Sequence, residues 1–322
     1  TAPGSDGSAF ELPRMSPDLA FAFGLKLVGD QAIEEDRRNL CVQVAVLYTN
    51  SRGQRFLRVH STLLNVVSSL NAAFRSVSVA PLMALAVKRA ALMALAPETP
   101  GAKKPRDYLL DFCIQALTVF LKTCYRDSGS RNLVISRSLE LLPLYTLTAR
   151  KMIYASLDMG MEGNETMRRI VRMPVHGIMA SLYPRVYPLL PALSEGDEDG
   201  LRRLTPEREA LQYAPACLVA TGLNAWILRG TEQTQPETEP GDDLLERATG
   251  LWRSISLSLQ PSHWQPLRHL PSTALGREAT RRERGLVATL FVEDEGFTEM
   301  SYTDWVYYLH GQVQRAQNSC GF

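Results

Sequence analysis

The chain has 322 residues, 45% of them hydrophobic and 21% charged, with 35 Lys plus Arg against 34 Asp plus Glu. That length fits about two globular domains. The near-zero charge balance argues against nucleic acid as a partner, because phosphate recognition demands an excess of cations.

The longest apolar stretch, VAPLMALAVKRAALMALA, carries Lys88 and Arg89 at its centre, where a bilayer would penalise them, so it reads as a buried helix. The first residue is Thr1 and not Met, which suggests a fragment or a processed chain. Cys41, Cys113, Cys124, Cys217 and Cys320 are odd in number and widely spaced, and four of them lie in apolar strand or helix contexts, a pattern that favours buried free thiols in a reducing cytosol.

Residues 18 to 67 are strand-like. Ala20 to Val28 forms one extended run, and Cys41 to Thr49 a second in which Val42, Val44 and Val46 alternate on one face. The turn residues Asn50-Ser51-Arg52-Gly53 then make a hairpin with Gln54 to Val67, placing Leu57 and Val59 on one side and Phe56, Arg58 and His60 on the other. One hairpin is marginal alone, so these strands are expected to complete a larger sheet.

Residues 69 to 182 read as helical. Pro81, Pro143 and Pro174 each stand where a first helical turn tolerates a missing amide donor. The three helices are expected to bury Leu82, Leu85 and Leu92; Leu144, Leu147 and Tyr145; and Val175, Ile178, Met179 and Leu182. Between them, Pro105 to Tyr125 carries Leu109, Phe112, Cys113, Ala116, Leu117, Phe120 and Cys124 as one stripe, with Asp107 and Asp111 early and Lys122 and Arg126 late. Pro97 to Lys104 and Asp127 to Asn132 are loops by composition. Asn164, in an Asn-Glu-Thr triplet, reads as a helix cap.

From Tyr183 onward the pattern is mixed. Ala216 to Gly230 reads as two short strands turning at Gly222-Leu223-Asn224, followed by an acidic linker, TEQTQPETEPGDD. A helix capped by Asp242 or Asp243 is expected through Ala248. A proline-rich loop, an arginine-rich helix over Glu278 to Arg284 and a strand over Leu286 to Glu293 come next. Ser301 and Asp304 then form an S-x-x-D capping box for a last helix, Tyr302 to Ala316, with Trp305, Leu309 and Val313 inward.

No phosphate loop, dinucleotide fingerprint, H-E-x-x-H, G-x-S-x-G or C-x-x-C is present, so no catalytic, cofactor-binding or metal-ligating residue is assigned and no enzyme is expected. His263 and His269 have the spacing of neither a helix face nor a zinc knuckle and read as loop histidines. Arg277 to Arg284 reads first as a solvated helix face with internal Glu-Arg pairs. Its second reading is an anion-binding or acidic-peptide patch, in which Arg281, Arg282 and Arg284 are the candidate partner-binding residues. Trp226 and Trp305 fall on the apolar sides of their elements and are expected in the core.

Five stretches in one order resemble the Sec24 family of COPII inner-coat cargo adaptors: VAVLYTNSRGQRFLRVH, LELLPLYTLTARK, SLYPRVYPLL, LNAWILRG and LFVEDEGFTEMSYTDWVYYLHGQV. The resemblance implies an α+β multidomain fold: the end of a β-sandwich over residues 1–68, an all-α helical domain over 69–182, a gelsolin-like α/β domain over 183–299, and a C-terminal helix over 300–322 packing back on the helical domain. It implies a non-catalytic coat subunit that binds cytoplasmic tails of membrane cargo and SNAREs for transport from the endoplasmic reticulum to the Golgi. Such a protein would be cytoplasmic, peripherally associated with the endoplasmic reticulum membrane and coated vesicles, and partnered by the sister inner-coat subunit. No cofactor is expected in this stretch; the family's zinc finger would lie before Thr1. In some members a tryptophan shortly before V-E-D helps bind a SNARE peptide, whereas here Gly285 to Leu290 holds no aromatic. The sister type, Sec23, shares the fold and is the alternative: it stimulates a Sar-type GTPase through an arginine, for which Arg281, Arg282 or Arg284 would be the candidates.

Overall fold

The computed structural model describes residues 39–96, 101–125, 133–190, 204–207, 216–229, 242–259, 267–270, 280–295 and 300–319. Strands β1 (Asn39–Thr49) and β2 (Arg55–Asn65) pair antiparallel, from Asn39 opposite Asn65 to Thr49 opposite Arg55. The turn between them is held by its asparagine, as the residue types require. Asn50 Oδ1 accepts from the amides of Arg52 (3.0 Å) and Gln54 (2.9 Å), and Gly53 takes the positive φ of 78° that side chains resist. Tyr48 and Phe56 stack on one face, at 5.6 Å between ring centroids, while Leu57 and Val59 share the other. Cys41 is exposed, unlike the buried thiol its apolar context suggests. The expected strand Ala20 to Val28 lies outside the described residues.

Helices α1 (Leu70–Ser76), α2 (Val79–Leu95), α3 (Pro105–Cys124), α4 (Leu142–Asp158), α5 (Met161–Arg172) and α6 (Val175–Leu182) form one layer around a shared core. α4 is its central member. Every residue from Leu142 to Ile153 except Tyr145 is buried, so the helix has no solvated face and its polar side chains must find partners inside. Thr146 Oγ1 donates to the Leu142 carbonyl at 2.8 Å, Thr148 Oγ1 to that of Tyr145 at 3.0 Å, and Arg150 Nη1 to that of Arg106 at 2.9 Å. Pro143 sits in the first turn after a short 3₁₀ turn at Arg137–Leu139, so its ring starts the helix without interrupting it.

In α2 the buried set is Met83, Ala84, Ala86, Val87, Ala90 and Ala91, whereas Leu85 and Leu92, expected inside, face solvent. The small alanines let α2 lie close to α4 and α5 and turn the larger leucines outward. Val175, also expected inside, is exposed at the first turn of α6, and Met179 is half-buried. Asn164 is not a cap, because α5 begins at Met161 after Gly160, whose φ of 58° makes the corner. No single helix among the described residues is long and apolar enough to cross a membrane; only α1 and α2 together, bent by 87°, pass on length and composition.

The second unit is a four-stranded sheet in the order β3 (Arg185–Leu190), β4 (Ala216–Ala220), β5 (Ala225–Arg229), β6 (Leu267–His269). β3, β4 and β5 are antiparallel, and β6 joins β5 in parallel. β6 occupies part of the stretch read as a proline-rich loop; His269 ends it, and His263 lies outside the described residues. Pro188 is accommodated on β3 by a register shift between Pro188 and Leu190.

All of β4 is buried because a helix covers each face. α7 (Asp242–Leu259), which runs well past Ala248, packs Ala248 and Trp252 against Leu218, Ala220 and Ile227. α8 (Arg281–Leu290) packs Val287, Leu290 and Phe291 against Cys217, Val219, Trp226 and Leu228. This α8 replaces the strand expected over Leu286 to Glu293. Its β-branched run invites a strand reading, but Thr280 and Glu283 nucleate a helix upstream, and Leu286, Val287 and Leu290 lie at three-and-four spacing on one side of it. The last helix, α9 (Tyr302–Ser319), is capped by Ser301, whose Oγ accepts from the Asp304 amide at 3.2 Å. α9 lies against α3 and α4, with Trp305, Leu309 and Val313 in the helical core.

Candidate functional site at the joint of helices and sheet

α8 stands between the sheet and α4, so the joint of the two units is built around it. Where it meets α4 the contact is between small residues: a side-chain carbon on Gly285 would lie 3.6 Å from Ala155 Cβ. Beyond the end of α8, the segment Val292-Glu293-Asp294 is fastened by buried polar groups. Lys151, 2% exposed on α4, donates from Nζ to the carbonyls of Val292 at 2.7 Å and Asp294 at 2.5 Å. Tyr183 donates its hydroxyl to Glu293 Oε1 at 2.7 Å, and the Glu293 carbonyl accepts from the Tyr302 amide at 2.9 Å. Burial first, then the carboxylates of Glu293 and Glu140, push the Tyr302 phenol above its ordinary range. Trp305 closes the arrangement: its indole Nε1 donates to the Pro143 carbonyl at 2.9 Å, and the Arg150 guanidinium lies 5.2 Å from its ring centroid.

A second contact comes from the β4–β5 turn. Thr221 Oγ1 accepts from the amides of Leu223 and Asn224, at 3.1 and 2.9 Å, and the turn so formed presents Leu223 to the helical core. Arg169 Nη2 of α5 reaches the Leu223 carbonyl at 3.3 Å. Gly222 is required there, since a Cβ would sit 1.9 Å from the Gly177 carbonyl oxygen of α6.

The candidate arginines sit at the outer end of the same helix. Thr280 caps α8, its Oγ1 accepting from the Glu283 amide at 3.2 Å, while Glu283 Oε2 accepts from the Thr280 amide at 2.8 Å. Arg282 is exposed and pairs with Glu162 of α5. Arg284 is half-buried, and Arg281 is described by its backbone as the first residue of the helix. The three therefore do not stand as one unengaged patch. Among the described residues no group of three or more His, Cys, Asp or Glu converges on a metal position. No disulfide joins the four described cysteines, and burial pushes the Cys113 and Cys217 thiols up to about 12, which leaves both protonated and unreactive near neutral pH.

The box at Thr280 has a pH signature. Hydrogen bonds from the Thr280 amide, then its side chain, hold the Glu283 carboxyl below the usual carboxylate range. A depressed folded value means stability that is present above the unfolded value near about 4.3 and lost as pH falls through the folded value. In urea titrations the margin of the native chain over Glu283→Gln is expected to shrink between about pH 6 and about pH 3; a constant margin would show that the charged form is not the one being held.

Lys151, Arg169, Tyr183, Leu223 and Glu293 were not singled out as joint residues in the sequence. Lys151 carried one usable signal, because it continues the stripe of Leu144 and Leu147, seven and four residues after them, where a cation has to be matched from another element.

The Sec23/Sec24 β-sandwich domain model matches residues 2–67. Protein transport protein SEC24 A of Arabidopsis thaliana is 27% identical over 94% of this chain and 31% of its own length. Human protein transport protein Sec24C is 25% identical over 92% of this chain and 29% of its own length. The crystal structure of the human COPII-coat protein Sec24c superposes with a TM-score of 0.64 at 23% identity, covering 86% of this chain and 37% of that one, which shows a shared fold. The chain thus spans about a third of the length of these relatives. They carry the Sec24 name, so the sister Sec23 type is not favoured. With the LPLYTLTARK and VED stretches meeting at one buried joint, the chain is similar to Sec24 proteins along nearly its whole length and shares their fold.

Proposed function

We propose that the chain is a portion of a non-catalytic COPII coat subunit that presents a surface to cytoplasmic tails of membrane cargo and to SNAREs during export from the endoplasmic reticulum. The observation that carries this reading is the meeting of motifs distant in sequence. LPLYTLTARK supplies Lys151 and the Pro143 carbonyl, VED supplies the carbonyls that Lys151 holds, and MSYTDW supplies Tyr302 and Trp305. A coat subunit needs its units fixed relative to one another so that sites on each meet a membrane and a tail together; a buried polar joint does that where a mobile linker would not.

In this reading residues 1–68 belong to a β-sandwich, 69–182 to a helical domain and 183–299 to a gelsolin-like domain, with 300–322 returning to the helices. The sister inner-coat subunit would engage mainly parts of the full-length protein outside this stretch, and zinc would be held there. The protein would be cytoplasmic and peripheral to the endoplasmic reticulum membrane and coated vesicles. Arg281, Arg282 and Arg284 would offer acidic tails a cationic rim, with Arg282 exchanging Glu162 for the ligand.

The test is a fluorescence titration of labelled cargo-tail and SNARE peptides with the 322-residue chain and with the full-length protein. Saturable binding that weakens at least about threefold in Arg281→Glu/Arg282→Glu is expected, the scale of a lost exposed charge contact. Binding that ignores the reversal would move recognition away from α8, and no binding by either protein would remove the adaptor reading.

A further inference from the structure

Thr280 is exposed and lies at the boundary of α8. In the sequence Arg277-Glu278-Ala279-Thr280-Arg281-Arg282, one arginine precedes it by three residues and two follow it directly. We propose that Thr280 is a phosphorylation site for an arginine-directed protein kinase, and that its phosphate draws Arg282 away from Glu162, releasing a contact between α8 and α5.

Three independent features support this. The first is recognition: a sequence that places arginines three residues before and one and two residues after a hydroxyl offers guanidinium groups to a kinase surface lined with carboxylates, through charge-assisted and bidentate hydrogen bonds. The second is access. Thr280 is exposed, and its hydroxyl's contacts are with Glu283 alone, accepting from the amide at 3.2 Å and donating to the carboxylate, so opening this one local box frees it. The third is what the product would do. The Arg282–Glu162 pair has both side chains more than half exposed, so water and salt already weaken it, and a phosphate carrying nearly two negative charges is the stronger competitor for the same guanidinium. The phosphate would also face the amides at the start of α8 and the positive end of its dipole, while repelling the Glu283 carboxylate from the Thr280 amide it now accepts from.

The chemistry is simple phosphoryl transfer from ATP. Thr280 Oγ attacks the γ-phosphorus, an Oγ–P bond forms, the bond from that phosphorus to the β–γ bridging oxygen breaks, ADP departs and the hydroxyl proton is released. No electrons change hands. The proposal does not depend on what the chain binds, because its readouts are the phosphate itself and its surroundings.

The test uses the folded 322-residue chain, MgATP and the catalytic subunit of the cyclic-AMP-dependent protein kinase, with the modified residue located by mass spectrometry. Phosphate on Thr280 is expected, lost in Thr280→Val and slowed at least about tenfold in Arg277→Ala. Modification only of the denatured chain, or of other hydroxyls with Thr280 untouched, would overturn the site. For the seat, a phosphorus NMR titration is expected to show a midpoint below the ordinary value of about 6, moving upward in Arg282→Gln. Equal midpoints in the two proteins would overturn the exchange of Arg282.

Discussion

Replacing Lys151 by Met is expected to lower stability by about 2–5 kcal/mol, since two carbonyl oxygens lose a charged donor in a buried place. Met keeps the length and much of the apolar contact of the lysine stem, so the change isolates the amino group. The Val292 carbonyl belongs to a residue 1% exposed, and water cannot take the place of Lys151 there without opening the joint. The effect should be local before it is global. Limited proteolysis is expected to cut the mutant first around residues 291–295, with the urea midpoint falling in parallel. Arginine should not rescue it, because a planar guanidinium cannot follow the path of a single nitrogen between two carbonyls. An unchanged midpoint, within about 0.5 kcal/mol, would show that the segment is held by its apolar neighbours Phe291 and Leu290 alone.

Gly222→Ala is expected to cost about 3 kcal/mol, at the upper end of what overpacking does. The added carbon would lie 1.9 Å from the Gly177 carbonyl oxygen, 2.8 Å from its carbon and 2.6 Å from Ser181 Oγ. Two of these neighbours are backbone and cannot rotate aside. The turn cannot easily retreat either, since Thr221 holds the amides of Leu223 and Asn224. Relief therefore requires Leu223 to leave the helical core, which separates the sheet from the helices at that point. Gly311→Ala supplies the control. It lies inside α9 with nothing within 4 Å of the added carbon, and it should be neutral or stabilising by up to about 1 kcal/mol. Thermal unfolding of the two variants side by side checks both; equal midpoints would mean that the close approach at Gly222 relaxes at no cost.

Much of the fold was legible because it is local. The hairpin follows from Asn50 and Gly53, the start of α4 from Pro143, the last helix from Ser301 and Asp304, and the inward set Trp305, Leu309 and Val313 from spacing alone. The errors arose where a local preference competed with something distant. Leu286 to Val292 has the composition of a strand, yet a capping box upstream and a sheet face beneath make it a helix and a turn. Leu85 and Leu92 have the spacing of core residues, yet the alanine face of α2 is the one that fits against its neighbours.

The arginine-rich stretch was visible as a string of charges, but where its members point was not. That Arg282 reaches Glu162, 120 residues away, depends on α5 and α8 both packing against α4.

What the sequence by itself determined is the set of pieces and their likeness: element type where caps, turns and apolar periodicity agree, the absence of a familiar catalytic motif, and the ordered stretches that are similar to Sec24 proteins. What only the tertiary structure decided is how the pieces are joined. Lys151 reaching the VED carbonyls, Tyr183 reaching Glu293 and Gly222 pressed on Gly177 are contacts between residues 45 or more positions apart. Spacing along a chain reports which side of its own element a residue occupies. A buried donor's partner is chosen by whichever carbonyl the packed units bring within reach.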